Sequence, residues 1–522
     1  MENDRTTPLW AGATALGLVA HAWPRWDSVV DDAYISARYA EHLAEGYGLV
    51  YNAIGDPVEG YTNLAWTVLL AAGRAVGLPI LPLMTGMGAL FGVLAVWGVV
   101  ALAGALGAPG RWRWLAGILL VASPHFAVVT TNGIESSMYV AGVAWTAWAM
   151  LAAPAWAGAL AGALLVTIRP EGAVMAGILA LGGAARGWRE PRSWLPLAGT
   201  VAAFVALEIW RFAVYGAWVP NTWDAKFARP LADQIEFNLG YLRPDMPVWV
   251  GLALVAAVIP VMFARDPRRW AVWAVALATV ALAFRVDMWM PGGRLLQPAC
   301  ALIYALVAVE AAKVRIGWLA LGWALVVPAT PWGRHPAYYD SKHTVLPGNP
   351  AQLAAEHVAA HSPAGAWLAT RDAGVLAYYV GTRIHVGELH NRALTRRHPG
   401  GADADWQTAA PEDPEIVIPT VQRSDATGPV YPSDRGVFSA LTQPYRFLGR
   451  VEQHHHRYYD VWVRADLDMP PLAAGLARPP VAGAGDQGVP PGYRAPWLPR
   501  SVPAGKSPSP RRSPSPSPAA PE

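Results

Sequence analysis

Two adjacent carboxylates, Asp31 and Asp32, follow directly on the first apolar run and open the polar stretch DDAYISARYAEHLAEGYGLVYNAIGDPVEGYTN, residues 31–63. A carboxylate can take the proton from an attacking hydroxyl, and a guanidinium or ammonium can steady a departing phosphate. The chain carries both kinds of group. Arg169, Lys226 and Arg294 each have the sign and reach to hold a phosphate oxygen. Glu59, Glu135, Asp287 and Tyr61 are further candidates, for orienting an acceptor, and Glu171 is an acidic neighbour of Arg169. The chemistry this set allows is transfer of a group from a phosphate to a hydroxyl.

Each residue also has a plainer reading. Asp32 can cap a helix over Ala33–Ala44 while Asp31 is solvated. The basic residues can snorkel at helix ends, and loop carboxylates are usually just hydrated. Two neighbouring carboxylates repel, so a divalent cation is compatible with the acid pair but is not required by it. His454–His456 are three in a row on an expected strand, where successive side chains face opposite ways, so they make a poor chelate and no metal is assigned. Gly292 and Gly293, just ahead of Arg294, leave the backbone free to approach a ligand.

The elements that must position these groups are apolar runs of roughly 17–25 residues, the length that crosses a bilayer core. The expected spans are Pro8–Pro24, Ile80–Leu106, Trp114–Thr131, Ser137–Ala153, Ala155–Ile168, Gly172–Ala185, Trp194–Val214, Val248–Ala264, Trp270–Phe284, Leu295–Ala312 and Ile316–Trp332. Only Arg5 precedes the first, and Ala20-His21-Ala22 is a poor cleavage site, so it reads as a retained helix. Asn63–Leu78 is apolar but short and carries Arg74. If it lies along the membrane, the basic clusters Arg111/Arg113, Arg186/Arg189/Arg192, Arg265/Arg268/Arg269 and Lys313/Arg315 all share one side with the amino terminus. That side is then cytoplasmic. Asp31–Thr62, the NGIES turn, the IRPEG turn, Tyr215–Pro247 and Arg285–Arg294 fall on the outer face, and so do all the candidate residues.

The expected fold is therefore an α-helical polytopic membrane bundle of about 11 transmembrane helices with a small C-terminal α/β domain outside the membrane. Residues 1–332 form the bundle, with a first outer loop at 25–79. Residues 333–465 form the soluble domain, with a helix over Leu353–His361 and strands at Trp367–Thr370, Ile416–Ile418, Tyr445–Val451 and Tyr458–Val463. Residues 466–522 are rich in Pro, Ser, Gly and Ala and cannot bury a core. The one cysteine, Cys300, excludes an intrachain disulfide. The net charge of +3 and the weakly basic tail give no ground for a nucleic-acid partner.

DDAYISARYAEHLAEGYGLVYN followed by VEGYTNLAW resembles the polyprenyl-phosphate-sugar-dependent glycosyltransferases of the GT-C fold, in particular the mycobacterial terminal β-(1→2) arabinofuranosyltransferase family. SPHFAVVTTNGIES, IRPEG, RFAVYGAWVPNTWDAKF, DMWMPGGRLLQPA and TRDAGVLAYY agree in order, so the resemblance runs from Asp31 to Tyr379, with a weaker echo to Val463. After TRDAG, relatives continue with an acidic residue and a Gly-Leu pair, whereas His385 and Glu388 stand in this region here. The resemblance implies an inverting transferase in a bacterial cytoplasmic membrane, with its active site on the outer face and Asp31 or Asp32 as base. It also implies a polyprenyl-phosphate sugar donor, a pentofuranose such as arabinose among the candidate sugars, and an extracytoplasmic glycan or glycolipid acceptor. The rival class is a transporter or lipid flippase. That would place ionisable residues deep in the spans or repeat broken helices in two halves, whereas the polar groups here gather on one face.

Overall fold

The computed structural model describes residues 6–53, 57–185, 187–223, 230–243, 246–259, 266–288, 290–314, 344–345, 348–370, 373–388, 413–418, 420–422, 442–453 and 457–472. Lys226, the span Ile316–Trp332, the end of the span Val248–Ala264, His454–His456 and the tail beyond 472 lie outside the described residues.

The first half is helical. α1 (Thr7–Ala22) leads through a short extended segment, β1 (Val29–Val30), into α2 (Asp31–Ala44). α3 (Leu64–Ala75) has 12 residues. At 1.5 Å per residue that is about 18 Å, too short for a bilayer core of about 30 Å. It lies against α2 instead, where Arg74 forks onto both oxygens of Glu41 at 2.6 and 2.8 Å. α4 (Ile80–Ala105) has 26 residues, about 39 Å, and runs through the centre of the bundle. Gly88 and Gly98 let α7 (Ser136–Ala152) close on it. The Ser137 hydroxyl donates to the Gly88 carbonyl at 2.9 Å, and a Cβ on Gly98 would lie 2.9 Å from the Trp145 indole nitrogen.

The expected span Trp114–Thr131 is not one helix. It is α5 (Arg113–Ala122) and α6 (Pro124–Thr131), bent by 67°. Pro124 supplies no N–H to continue the ladder, and Ser123 starts a new helix by accepting from the Phe126 N–H at 3.3 Å. All eight residues of α6 are buried.

α8 (Ala155–Ile168), α9 (Gly172–Ala184), α10 (Leu195–Tyr215), α11 (Leu231–Leu242), α12 (Met246–Val258), α13 (Pro267–Ala283) and α14 (Gln297–Val314) complete the bundle. Among the described residues, three helical stretches are long and apolar enough to cross a membrane alone: Ile80–Ala105, Pro191–Tyr215 and Gly292–Ala312. The bent pair makes a fourth, and the other expected spans, where described, appear as shorter helices. α10 exposes Val201, Val205, Ile209 and Phe212, an apolar face that lipid would cover.

The second half is α/β. α15 (Pro350–His361) precedes a sheet of β3 (Trp367–Thr370), β4 (His385–Glu388), β5 (Ile416–Ile418), β6 (Thr420–Gln422), β7 (Tyr445–Gln453) and β8 (Arg457–Arg464). The order is β4-β3-β5-β8-β6, with β7 also paired to β8; the β3 pairings are parallel and those of β8 antiparallel. Between β3 and β4 runs the five-residue helix α16 (Val375–Tyr379). The packed part extends past 465: Met469 and Leu472 are buried, and the Leu472 N–H donates to the Leu448 carbonyl at 3.3 Å. β2 (Thr344–Val345) turns back to pair antiparallel with β1, Val29 opposite Val345 and Val30 opposite Thr344. The two halves thus meet beside the acid pair.

Candidate active site

α2 begins two residues earlier than its capping pattern suggests. Val30 is the N-cap, without a side-chain cap bond, and both Asp31 and Asp32 lie in the first helical turn. The capping role read for Asp32 is therefore corrected: the helix N-terminus is held by the backbone, where the Val30 N–H donates to the Asn132 carbonyl at 3.0 Å. Successive helix positions are about 100° apart, so the two carboxylates address different partners. Asp31 reaches the C-terminal unit, where its Oδ1 accepts the Val375 N–H at 2.8 Å. Asp32 lies in the electrostatic field of Arg294.

Arg294 belongs to a buried polar cluster between helices. Glu135, the N-cap residue of α7, makes no cap bond with its side chain. Its carboxylate accepts from the Asn63 amide at 2.7 Å, pairs closely with Arg169, and meets Arg294 at 3.4 Å. Burial opposes its ionisation, but Arg169, then Arg294 and the Asn63 hydrogen bond, hold its carboxyl down at about 2. Arg169 also pairs with Glu171 at 2.6 Å and lies 5.6 Å from the Tyr139 ring centroid. Asn63 joins this cluster to α2 through Ser36, whose hydroxyl is 3.0 Å from the Asn63 amide nitrogen.

The arginines are thus unequal. Arg169 is spent on two carboxylates, whereas the contact between Arg294 and Glu135 is long and leaves guanidinium donors for another anion. Its placement depends on the turn before it. Gly292 and Gly293 have φ of 84° and 52°, in the left-handed region. The room they leave is filled by protein and not by a ligand: a Cβ on Gly292 would lie 2.8 Å from Val129 and 2.9 Å from the His125 carbonyl, and one on Gly293 would lie 2.9 Å from Trp249. The Gln297 amide donates to the Gly292 carbonyl at 2.7 Å and fixes the turn.

The other candidates lie apart from this cluster. Glu59 is buried in an ion pair of 2.6 Å with Arg211, which also holds Glu208. Tyr61 is buried, 3.1 Å from the Tyr215 hydroxyl, and burial pushes its phenol well above the usual range, so it is a packing residue. Asp287 sits in the turn after α13, where the Met288 N–H is taken by Asn238 at 2.8 Å. Among the described residues no group of three His, Cys, Asp or Glu converges to hold a metal.

Arg38, Asn63 and Arg211 were not singled out from sequence. Arg38 is fully buried and donates to the carbonyls of Tyr51 at 2.8 Å, Ile384 at 2.8 Å, Gly381 at 3.1 Å and Ala377. Its position in the polar first loop, amid tyrosines, was the available signal.

No family model matches the chain. Over 247 residues it is 35% identical to the terminal β-(1→2)-arabinofuranosyltransferase of Mycobacterium tuberculosis, a match that covers 42% of this chain and 38% of that protein. The matched part is thus well under half of either length. The crystal structure of ArnT from Cupriavidus metallidurans bound to undecaprenyl phosphate superposes over 91% of this chain and 100% of its own, at 13% identity and a TM-score of 0.52. The chain therefore has the fold of that protein, a GT-C fold, as its first-loop motifs imply. Arabinofuranosyltransferase AftD from Mycobacteria aligns over 88% of this chain and 41% of its own at 15% identity, with a TM-score of 0.48.

Proposed function

We propose that the chain is an integral membrane glycosyltransferase that moves a sugar from a polyprenyl phosphate to an extracytoplasmic glycan or glycolipid, with inversion. The observation that carries this reading is Arg294, half-buried and held to Glu135 only by a long contact, in the field of Asp32 at the start of α2. The arabinofuranosyltransferase relative favours a pentofuranose as the sugar. ArnT, captured with undecaprenyl phosphate, favours a lipid-linked donor. The membrane is the bacterial cytoplasmic membrane, crossed about eleven times, with the amino terminus inside and the α/β unit outside.

In this reading the donor phosphate lies at Arg294, with Lys226 as a second contact. Asp31 takes the proton of the acceptor hydroxyl. The acceptor oxygen forms a bond to the anomeric carbon as the bond from that carbon to the phosphate oxygen breaks. The phosphate departs with the electron pair, and its charge is met by Arg294. Attack opposite the leaving group inverts the centre. Asp31, directed to the α/β unit, suits the acceptor side; Asp32, near Arg294, suits the phosphate side and would be the first ligand of any divalent cation bound there. Arg169 shapes the site by holding Glu135 in place.

The test is incubation of the purified full-length protein with a panel of polyprenyl-phosphate sugars and glycan acceptors, scoring loss of donor and appearance of a longer glycan. Consumption of a pentofuranose donor only when acceptor is present is expected. Failure with every donor, together with ion- or lipid-driven uptake into vesicles, would favour the transporter class.

A further inference from the structure

The α/β unit touches the acid pair at one turn, Ala373-Gly374-Val375. The Val375 N–H donates to Asp31 Oδ1 at 2.8 Å. Gly374 has a negative φ, outside the left-handed region that favours glycine. Space requires it: a Cβ there would overlap the Asp31 carbonyl oxygen and its Oδ2. The turn is held from α2's side as well, since the Tyr51 hydroxyl donates to the Ala373 carbonyl at 2.7 Å. At the far end of α16, Arg38 takes the Ala377 and Gly381 carbonyls. A carboxylate on a free helix end would rotate about its side-chain bonds. Here Oδ1 is tied to a backbone N–H and Oδ2 lies beside Gly374.

We propose that Gly374 and Val375 are positioning residues for the base: the α/β unit sets the rotation of the Asp31 carboxylate, so the catalytic geometry is shared between the two halves of the chain. This rests on the reading of Asp31 as the base. A plainer role, with Asp31 merely satisfying an N–H at the start of α16, predicts a loss of stability but no selective loss in the chemical step.

The test uses the full-length protein in lipid nanodiscs, with a polyprenyl-phosphate sugar and a glycan acceptor. Gly374→Ala and Tyr51→Phe are compared with wild type, alone and in an Asp31→Asn background. A misplacement of about 1 Å can cost about 100-fold, so Gly374→Ala should lower kcat by about 10- to 100-fold. KM for the donor, whose phosphate lies at Arg294, should stay unchanged. Tyr51→Phe, which removes one hydroxyl and leaves the fold intact, should show a smaller loss of the same kind. In the Asp31→Asn background neither change should lower the residual rate further, because groups acting as one unit are non-additive. Wild-type kcat in Tyr51→Phe and Gly374→Ala, or full additivity with Asp31→Asn, overturns the positioning role. If Asp31→Asn alone keeps the wild-type rate, the base assignment fails first, and the two failures are told apart.

Discussion

Asp31 and Arg38 lie seven residues apart on α2 and grip opposite ends of α16, Asp31 at the Val375 N–H and Arg38 at the carbonyls of Ala377 and Gly381. Seven residues are about two helical turns, roughly 10 Å, so both face the same way and match the length of the short helix between them. A negative group meets the donor end of α16 and a positive group meets its acceptor end. The α/β unit is thereby clasped by the helix that carries the acid pair.

The acid pair should split in function. Asp→Asn keeps shape and removes basicity, and loss of a general base costs about 10²–10⁴ in rate. Asp31→Asn should lose transfer by that factor while still binding donor. Asp32→Asn should lose less. Rates on both folded variants check this, and near wild-type transfer by both would move the base elsewhere.

The two arginines should also part. Arg294→Gln removes a charge-assisted hydrogen bond, an interaction of about 1.5–3 kcal/mol. Donor affinity should fall roughly 10- to 100-fold, with little change in melting temperature. Arg169→Gln leaves Glu135 buried without its closest partner, a loss of about 3–5 kcal/mol. It should therefore show mainly as lower thermal stability. Donor titration and a melting curve on each variant separate the roles.

Acid should unfold the site through Glu135. Its carboxyl is held at about 2, below the ordinary 4.5. A depressed carboxylate contributes stability that is fully present above the ordinary value and is lost as pH falls from about 4.5 toward 2. At about 1.4 kcal/mol per pKa unit the contribution is a few kcal/mol. Melting temperature measured across that window should fall in wild type and fall less steeply in Glu135→Gln, which starts lower.

The tail boundary is testable by truncation. Met469 and Leu472 are both buried, and a Cβ on Gly449 would lie 3.0 Å from Leu472. Ending the chain after Leu472 should leave melting unchanged. Ending it after Ala465 removes both buried side chains, each worth about 2–5 kcal/mol when truncated, and should destabilise the α/β unit.

Topology can be read with single cysteines in a Cys300→Ala background. Tyr47 is 53% exposed and the Asp466 side chain 61% exposed. Cysteines introduced at these two positions should both react with an impermeant thiol reagent in intact cells. Protection of either until lysis would overturn this topology.

Much of the scaffold was legible in sequence because its signals are local. The run Ala155–Ile168 is bounded by prolines at 154 and 170 and forms its helix between them. Trp367–Thr370 and Ile416–Ile418 are strands as their branched and aromatic content suggested. Pro124 breaks the run Trp114–Thr131, but the apolar residues on both sides mask the bend in the sequence. The site was legible in kind only. Composition places Arg169, Arg294 and Glu135 near an outer face, yet only their ion pairs reveal that Arg169 is neutralised and Arg294 is not. Arg38 and Arg211 escaped notice because their partners, backbone carbonyls and distant carboxylates, leave no mark in neighbouring sequence.

The clasp has a consequence for how the molecule is made. Asp31 and Val375 are separated by 344 residues. At roughly 5–20 residues per second of synthesis, the acid pair waits about 17–70 s for its partner turn to emerge. During that interval the Asp31 carboxylate is without the Val375 N–H from which it accepts in the finished chain. With Asp31 read as the base, a chain cut short before α16 would keep the acid pair without the turn that meets it, and sugar transfer should be lost.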